Sequence, residues 1–148
     1  SSLGSGSTLA EWEKSWEKTL LQHHRLGRRL VFVAALPTDT FSCASERNAN
    51  ALKWRTRASP RGRVDPAPSR VQEANDQLDC ISRLASFVSG LGDRHYVVLI
   101  GPDRAHTWDF EDVKALRAKR GFRDVCTHAC MHGGTSRCRW RIRYPGPN

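Results

Sequence analysis

The chain has 148 residues, 39% of them apolar and 26% charged, with 24 Lys and Arg against 15 Asp and Glu. That length fits one domain, two at most, and the apolar content is too high for a disordered chain. The longest apolar run, Leu30 to Leu36, is seven residues, which excludes a membrane-crossing helix of the ~20 residues that a bilayer demands. The net charge of +9 is unevenly spread: residues 113–148 carry +8, whereas residues 75–112 carry −4. Such a concentration fits a polyanionic partner, and equally an arginine-rich surface that is merely solvated. No stretch has the form of a secretory signal. The start at Ser1 rather than at Met reads as a fragment or a trimmed chain.

Residues 1–7 read as a flexible lead-in. Thr8 with Glu11 three residues on forms a capping-box signature, and Leu9, Trp12, Trp16 and Leu20 recur at helical spacing, so a helix is predicted from Thr8 to a stop at Gly27. Leu30 to Leu36 reads as a strand buried on both faces, ended by Pro37. Residues 37–69 lack periodicity and form a long basic loop. Val71, Ala74, Leu78, Ile81, Ala85 and Val88 predict an amphipathic helix that ends near Gly90 and Gly92. Tyr96 to Ile100 is a second buried strand, and Asp109 caps a helix with Phe110, Val113 and Leu116 on one face. A third strand runs from Phe122 to Met131. Gly133 and Gly134 turn the chain into a fourth, Cys138 to Tyr144. The order predicts a single α/β domain over 8–144, with a mostly parallel, Rossmann-like sheet, flanking helices and a C-terminal hairpin at one edge; 145–148 is a tail.

The five cysteines, Cys43, Cys80, Cys126, Cys130 and Cys138, are too few and too uneven for a disulfide framework. Reduced thiols place the chain in an intracellular compartment, the nucleus among them. Cys126, His128, Cys130 and His132 alternate along a predicted strand, where a rise of ~3.3 Å per residue spreads the four over about 20 Å. One zinc ion needs all its ligands within ~2.3 Å, so no metal site is expected. Arg137, Arg139, Arg141 and Arg143 also alternate. They line one face of the last strand as a row of phosphate-binding forks, or else as the charged guard of a solvated edge. Thr38, Asp39, Ser42 and Asp103 follow the carboxyl ends of the first two strands, where open α/β sheets bind ligands, although turn chemistry accounts for the same residues.

Ala35-Leu36-Pro37-Thr38-Asp39-Thr40-Phe41-Ser42 resembles the Gly-Phe-Pro-Cys-Gln-x-Phe-Ser segment of DNA cytosine-5 methyltransferases, in which the cysteine attacks the base. Val98 to Pro102 falls where that family has a strand ending in Glu-Asn-Val, and Gly121-Phe122, Gly133 and the arginine row resemble its later stretches. The chain is also similar to a family associated with mobile elements in algal protist genomes. That likeness rests on Arg57 to Gly62, Asn75, Leu99 to Pro102 with Trp108, and Cys130-Met131-His132-Gly133. The nucleophile position holds Thr38, a poor substitute for a thiolate. The glutamate position holds Ile100 and the asparagine position Gly101, and no Phe-x-Gly-x-Gly segment for S-adenosylmethionine precedes residue 30.

The resemblance therefore implies a catalytically inactive, mobile-element-derived domain without a cofactor. It would keep affinity for DNA or RNA through Arg55, Arg57, Arg61 and Arg63 of the loop and Arg137, Arg139, Arg141 and Arg143 of the strand. Other domains of a polyprotein are further expected partners, and a membrane is not. Two alternatives stand beside it: an active enzyme at the crevice of Thr38, Asp39 and Asp103, and an interaction module that docks through Trp12 and Trp16.

Overall fold

The computed structural model describes residues 8–38, 40–41, 54–119, 121–133 and 138–146. Helix α1 spans Leu9–Arg25. The Thr8 hydroxyl accepts from the Glu11 N–H, and the Glu11 carboxylate accepts from the Thr8 N–H. Both orphan donors of the first turn are thus satisfied. The left-handed Gly27 (φ 76°) follows its end. Leu20 is buried and Trp12 packs on the core, whereas Trp16 turns outward, its ring edge-on to Trp12 at 6.0 Å. The apolar stripe read from the sequence is thus broken at Trp16. The helix is instead fixed by a residue outside that stripe: Glu13 accepts two bonds from Arg83, at 2.6 and 2.7 Å. Beneath them lies the buried thiol of Cys80.

Strand β1 (Val31–Ala35) leads to helix α2 (Ser69–Gly90), strand β2 (Tyr96–Pro102), helix α3 (Glu111–Ala118) and strands β3 (Phe122–His128) and β4 (Arg139–Pro145). A short 3-10 turn, His106–Asp109, precedes α3, so Asp109 lies in that turn and Phe110 occupies the cap position. A second turn, Ala129–His132, ends β3 earlier than the alternation predicts, and Gly133 (φ 83°) closes it.

The four strands are ordered β1-β2-β4-β3. Only β1 and β2 pair in parallel; β4 is antiparallel to both β2 and β3. The sheet is therefore mixed, which corrects the mostly parallel, Rossmann-like expectation. The expected C-terminal hairpin lies at one edge, formed by β3 and β4, with β4 on its inner side between β2 and β3. In that slot its backbone donors and acceptors find partners on both sides, and β3 takes the edge.

Two crossovers, β1-α2-β2 and β2-α3-β3, both advance in the same direction across the sheet. Right-handed connections that never reverse direction put their helices on one face. Burial follows suit. Ala34, Val97 and Leu99 face the helices and join a core with Leu78, Leu84, Val88, Val113 and Leu116. Val31 and Val33 on the opposite face are 61% and 59% exposed. The expectation that β1 and β2 are buried on both faces is thus overturned, because among the described residues no helix covers the second face.

His95, buried at the start of β2, accepts at Nδ1 from the Leu30 N–H at 3.1 Å. Its Nε2 therefore carries the proton and donates to His24 Nδ1 of α1 at 2.9 Å. Burial above all, then the charge of Arg94 and the His24 ring, push His95 below its ordinary value near 6.5. A ring kept neutral in the fold stabilises it above pH 6.5, and that contribution is lost as the pH falls through the lower folded value. Thermal unfolding followed across pH 4 to 8 should show this loss, and the His95→Gln variant, which keeps an acceptor but cannot titrate, should lose that component. His95→Ala, which orphans the buried Leu30 N–H, should cost about 1–3 kcal/mol in denaturant titration.

Candidate functional site

The carboxyl ends of β1 and β2 meet the amino end of β4 at one end of the sheet. There the chain forms a cleft of about 620 Å³. Its lining carries six cations, Arg57, Arg104, Lys114, Arg117, Arg141 and Arg143, against two carboxylates, Asp103 and Asp109. Arg57 comes from the basic loop, Arg104 from the end of β2, Lys114 and Arg117 from α3, and Arg141 and Arg143 from β4. His106 and Trp108 complete the wall.

The floor is an ion network in which β4 plays the central part. Arg143 is only 2% exposed. Its Nε and Nη2 donate to the two oxygens of Asp124 at 2.7 and 2.8 Å, and Nη1 donates to the Val113 carbonyl at 2.6 Å. Arg141 donates from Nε to Asp103 Oδ1 at 2.9 Å and lies 3.8 Å from Asp124. Arg139 reaches the other oxygen of Asp103 at 3.2 Å, and Arg117 lies 3.8 Å from Asp124. Four guanidinium groups thus share two carboxylates, and the network keeps an excess of positive charge. Trp108 lies beneath it, 5.3 and 4.9 Å from the guanidinium carbons of Arg141 and Arg143, with its indole N–H donated to the Pro102 carbonyl at 2.7 Å. Gly101 makes room for this ring: a Cβ there would meet Leu36 at 3.3 Å and Trp108 at 3.4 Å.

Burial raises the carboxyls of Asp103 and Asp124, but the hydrogen bonds and charges of Arg141 and Arg143, aided at Asp103 by the Cys126 thiol and Arg139 and at Asp124 by Arg117 and Arg141, leave both below the ordinary value of 3.8. Asp103 is thereby held ionised near neutral pH, engaged by the guanidinium groups of Arg141 and Arg139.

The predicted site residues divide. Arg57, Arg141 and Arg143 converge on the cleft with Asp103. Arg139 and Asp103 share an ion pair at its rim. Arg55 does not belong to it. Only 2% exposed, it bonds to Thr40, the Pro60 and Val71 carbonyls and Asn75, and lies 3.8 Å over the Phe41 ring. Its role is to fold the loop onto α2, so its assignment to nucleic acid is corrected. Arg61 is bound by Asp79 through two bonds of 2.7 and 2.9 Å, and Arg63 is exposed away from the cleft lining. The picture of a uniform row of solvent-facing forks on the last strand is likewise corrected, because β4 is interior and its arginines face the helix side. Arg137, Asp39 and Ser42 lie outside the described residues.

Thr38 is exposed beyond β1, and Ile100 alternates with the buried Leu99, so it points to the open face. Arg104, Lys114 and Arg117 were missed by sequence reasoning, and the +8 of the last quarter was the signal that contained two of them. Among the described residues no three His, Cys, Asp or Glu side chains are placed to hold a metal ion. Also among them, no helix is long and apolar enough to cross a membrane. Set beside family models, curated proteins and solved structures, the chain matches none of them.

Asp124→Ala strands Arg143 as a buried, uncompensated charge and should cost about 3–5 kcal/mol in chemical denaturation. The double change Asp124→Leu with Arg143→Met should recover most of that loss, since an apolar pair of similar size is often neutral. Because both aspartates titrate below 3.8, their contribution is complete above that value and should vanish as the pH falls through the folded values.

Proposed function

We propose that the chain is a nucleic-acid-binding domain that acts through the basic cleft rather than through an open arginine row. The observation that carries this reading is the six-to-two ratio of cations to carboxylates around one concavity. Buried pairing fixes Arg141 and Arg143 at the floor. Arg57, 90% exposed at its side chain and 3.6 Å from Asp109, lines the cleft with exposed Arg104, Lys114 and Arg117, and their exposure supports contact with phosphate oxygens. Fixed guanidinium groups cost little further ordering when a phosphate arrives, and the exposed rim cations steer it in.

The methyltransferase likeness enters as ancestry. Its two catalytic segments would have to meet at the ends of adjacent strands. Leu36 donates its N–H to the Ile100 carbonyl at 2.7 Å, which supports that placement. With Thr38 and Ile100 in the reacting positions the domain is proposed to bind without transferring a methyl group, as a mobile-element-derived relic of such an enzyme.

Titration of the protein with labelled duplex DNA, single-stranded DNA and RNA at several salt concentrations tests the reading. Four neutralised phosphates on duplex DNA predict a slope of log K against log salt of about −3.6. Arg57→Ala combined with Lys114→Ala should weaken binding about tenfold or more and flatten the slope by about 2. Arg63→Ala, outside the cleft, should change it little. Absence of binding at low salt, or an equal loss in the Arg63 variant, would remove the cleft from consideration.

A further inference from the structure

The uncovered face of the sheet is independent of the cleft. Val33, Val98, Ile100, Ile142, Val125 and, beside Val98, Tyr144 form its centre on all four strands, with Val31 and Tyr96 toward one end and Trp140 toward the other. Strand spacing of ~4.8 Å and a rise of ~3.3 Å per residue make the face about 19 Å wide and about 20 Å long. A contiguous apolar surface of this kind on a charged chain marks a place of interaction. Among the described residues the face carries no carboxylate. Its charges are cationic: Arg123 is paired beside Tyr144, and Arg29 lies over the Tyr96 ring at 5.9 Å.

We infer that this face seats an amphipathic helix with acidic flanks, supplied by another protein. The helix layer on the opposite face shows what such a sheet accepts, namely aliphatic side chains at helical spacing. A helix of about 14 residues is ~21 Å long and spans the face. Its acidic flanks answer Arg29 and Arg123. Charge speaks against a second copy of this chain as the cover, because each copy brings a net +9 and the same two cations to the same face.

The probe is a synthetic peptide of about 18 residues with Leu at i, i+3, i+4 and i+7 and Glu elsewhere, paired with the same peptide carrying Lys for Glu. The protein is titrated with each by calorimetry, and its amide resonances are followed by NMR. The Glu peptide should bind with a micromolar Kd, shift amides of β1 and β2, and exceed the Lys peptide by about tenfold or more. Val33→Glu should weaken it about tenfold with an unchanged melting temperature. Val125→Glu, on the far edge strand, gives the same test if the first variant does not fold. Equal affinity for both peptides, or binding indifferent to these variants, overturns the proposal. So does a dimer in sedimentation that Val33→Glu dissociates, which would make a second copy the occupant. A single-stranded oligonucleotide that competes with the peptide for the face would overturn it in favour of nucleic acid.

Discussion

A right-handed crossover leaves little freedom in where its helix lands, and two crossovers that advance in one direction land on one side. That constraint governs this molecule. It concentrates α2 and α3 over Ala34, Val97 and Leu99, and α1 joins them through Leu20. It also leaves Val31 and Val33 in water. A sheet whose order reversed would have covered both faces and opened a crevice at the reversal point. Without a reversal, the concavity forms where β4 enters between its neighbours, and the chemistry of the cleft is largely the chemistry of β4.

A strand bearing an arginine at every second position is an awkward interior strand. It is tolerable because each inward guanidinium finds an anion: Arg143 the Asp124 carboxylate, Arg141 and Arg139 that of Asp103. Desolvation sets the order of importance. Arg143 is nearly inaccessible, so removing its partner costs far more than removing the pair together. Arg139 lies more than half exposed and contributes little beyond local field. The two carboxylates neutralise only part of the charge, and the remainder faces the cleft.

Helices and strand positions were legible because local physics decides them. The Thr8–Glu11 box, the apolar spacing of α2 and the Gly101-Pro102 end of β2 all stand near where the pattern places them. Strand order was not legible. Alternation tells which side chains share a face, but not whether that face meets helices or water. Arg143 and Val33 were for that reason assigned to the wrong environments. Arg55 shows the same limit inside a loop: nothing in its neighbours distinguishes a phosphate contact from a side chain buried among carbonyls. Of the cleft, the sequence contained Arg57, the arginines of β4 and Asp103. The contribution of α3 depended on a crossover that spacing alone does not orient.

The contact between α1 and α2 has a consequence for thiol chemistry. Burial first, then the charge and hydrogen bond of Glu13, push Cys80 up to about 11, so at neutral pH it is almost wholly protonated and nearly sealed. The thiolate is the reactive species, and the cysteines at 126, 130 and 138 are exposed. Among the described cysteines alkylation therefore proceeds in two classes, with Cys80 silent while α1 is seated. Its modification rate reads, by mass, every opening that lifts α1 from α2, local or global.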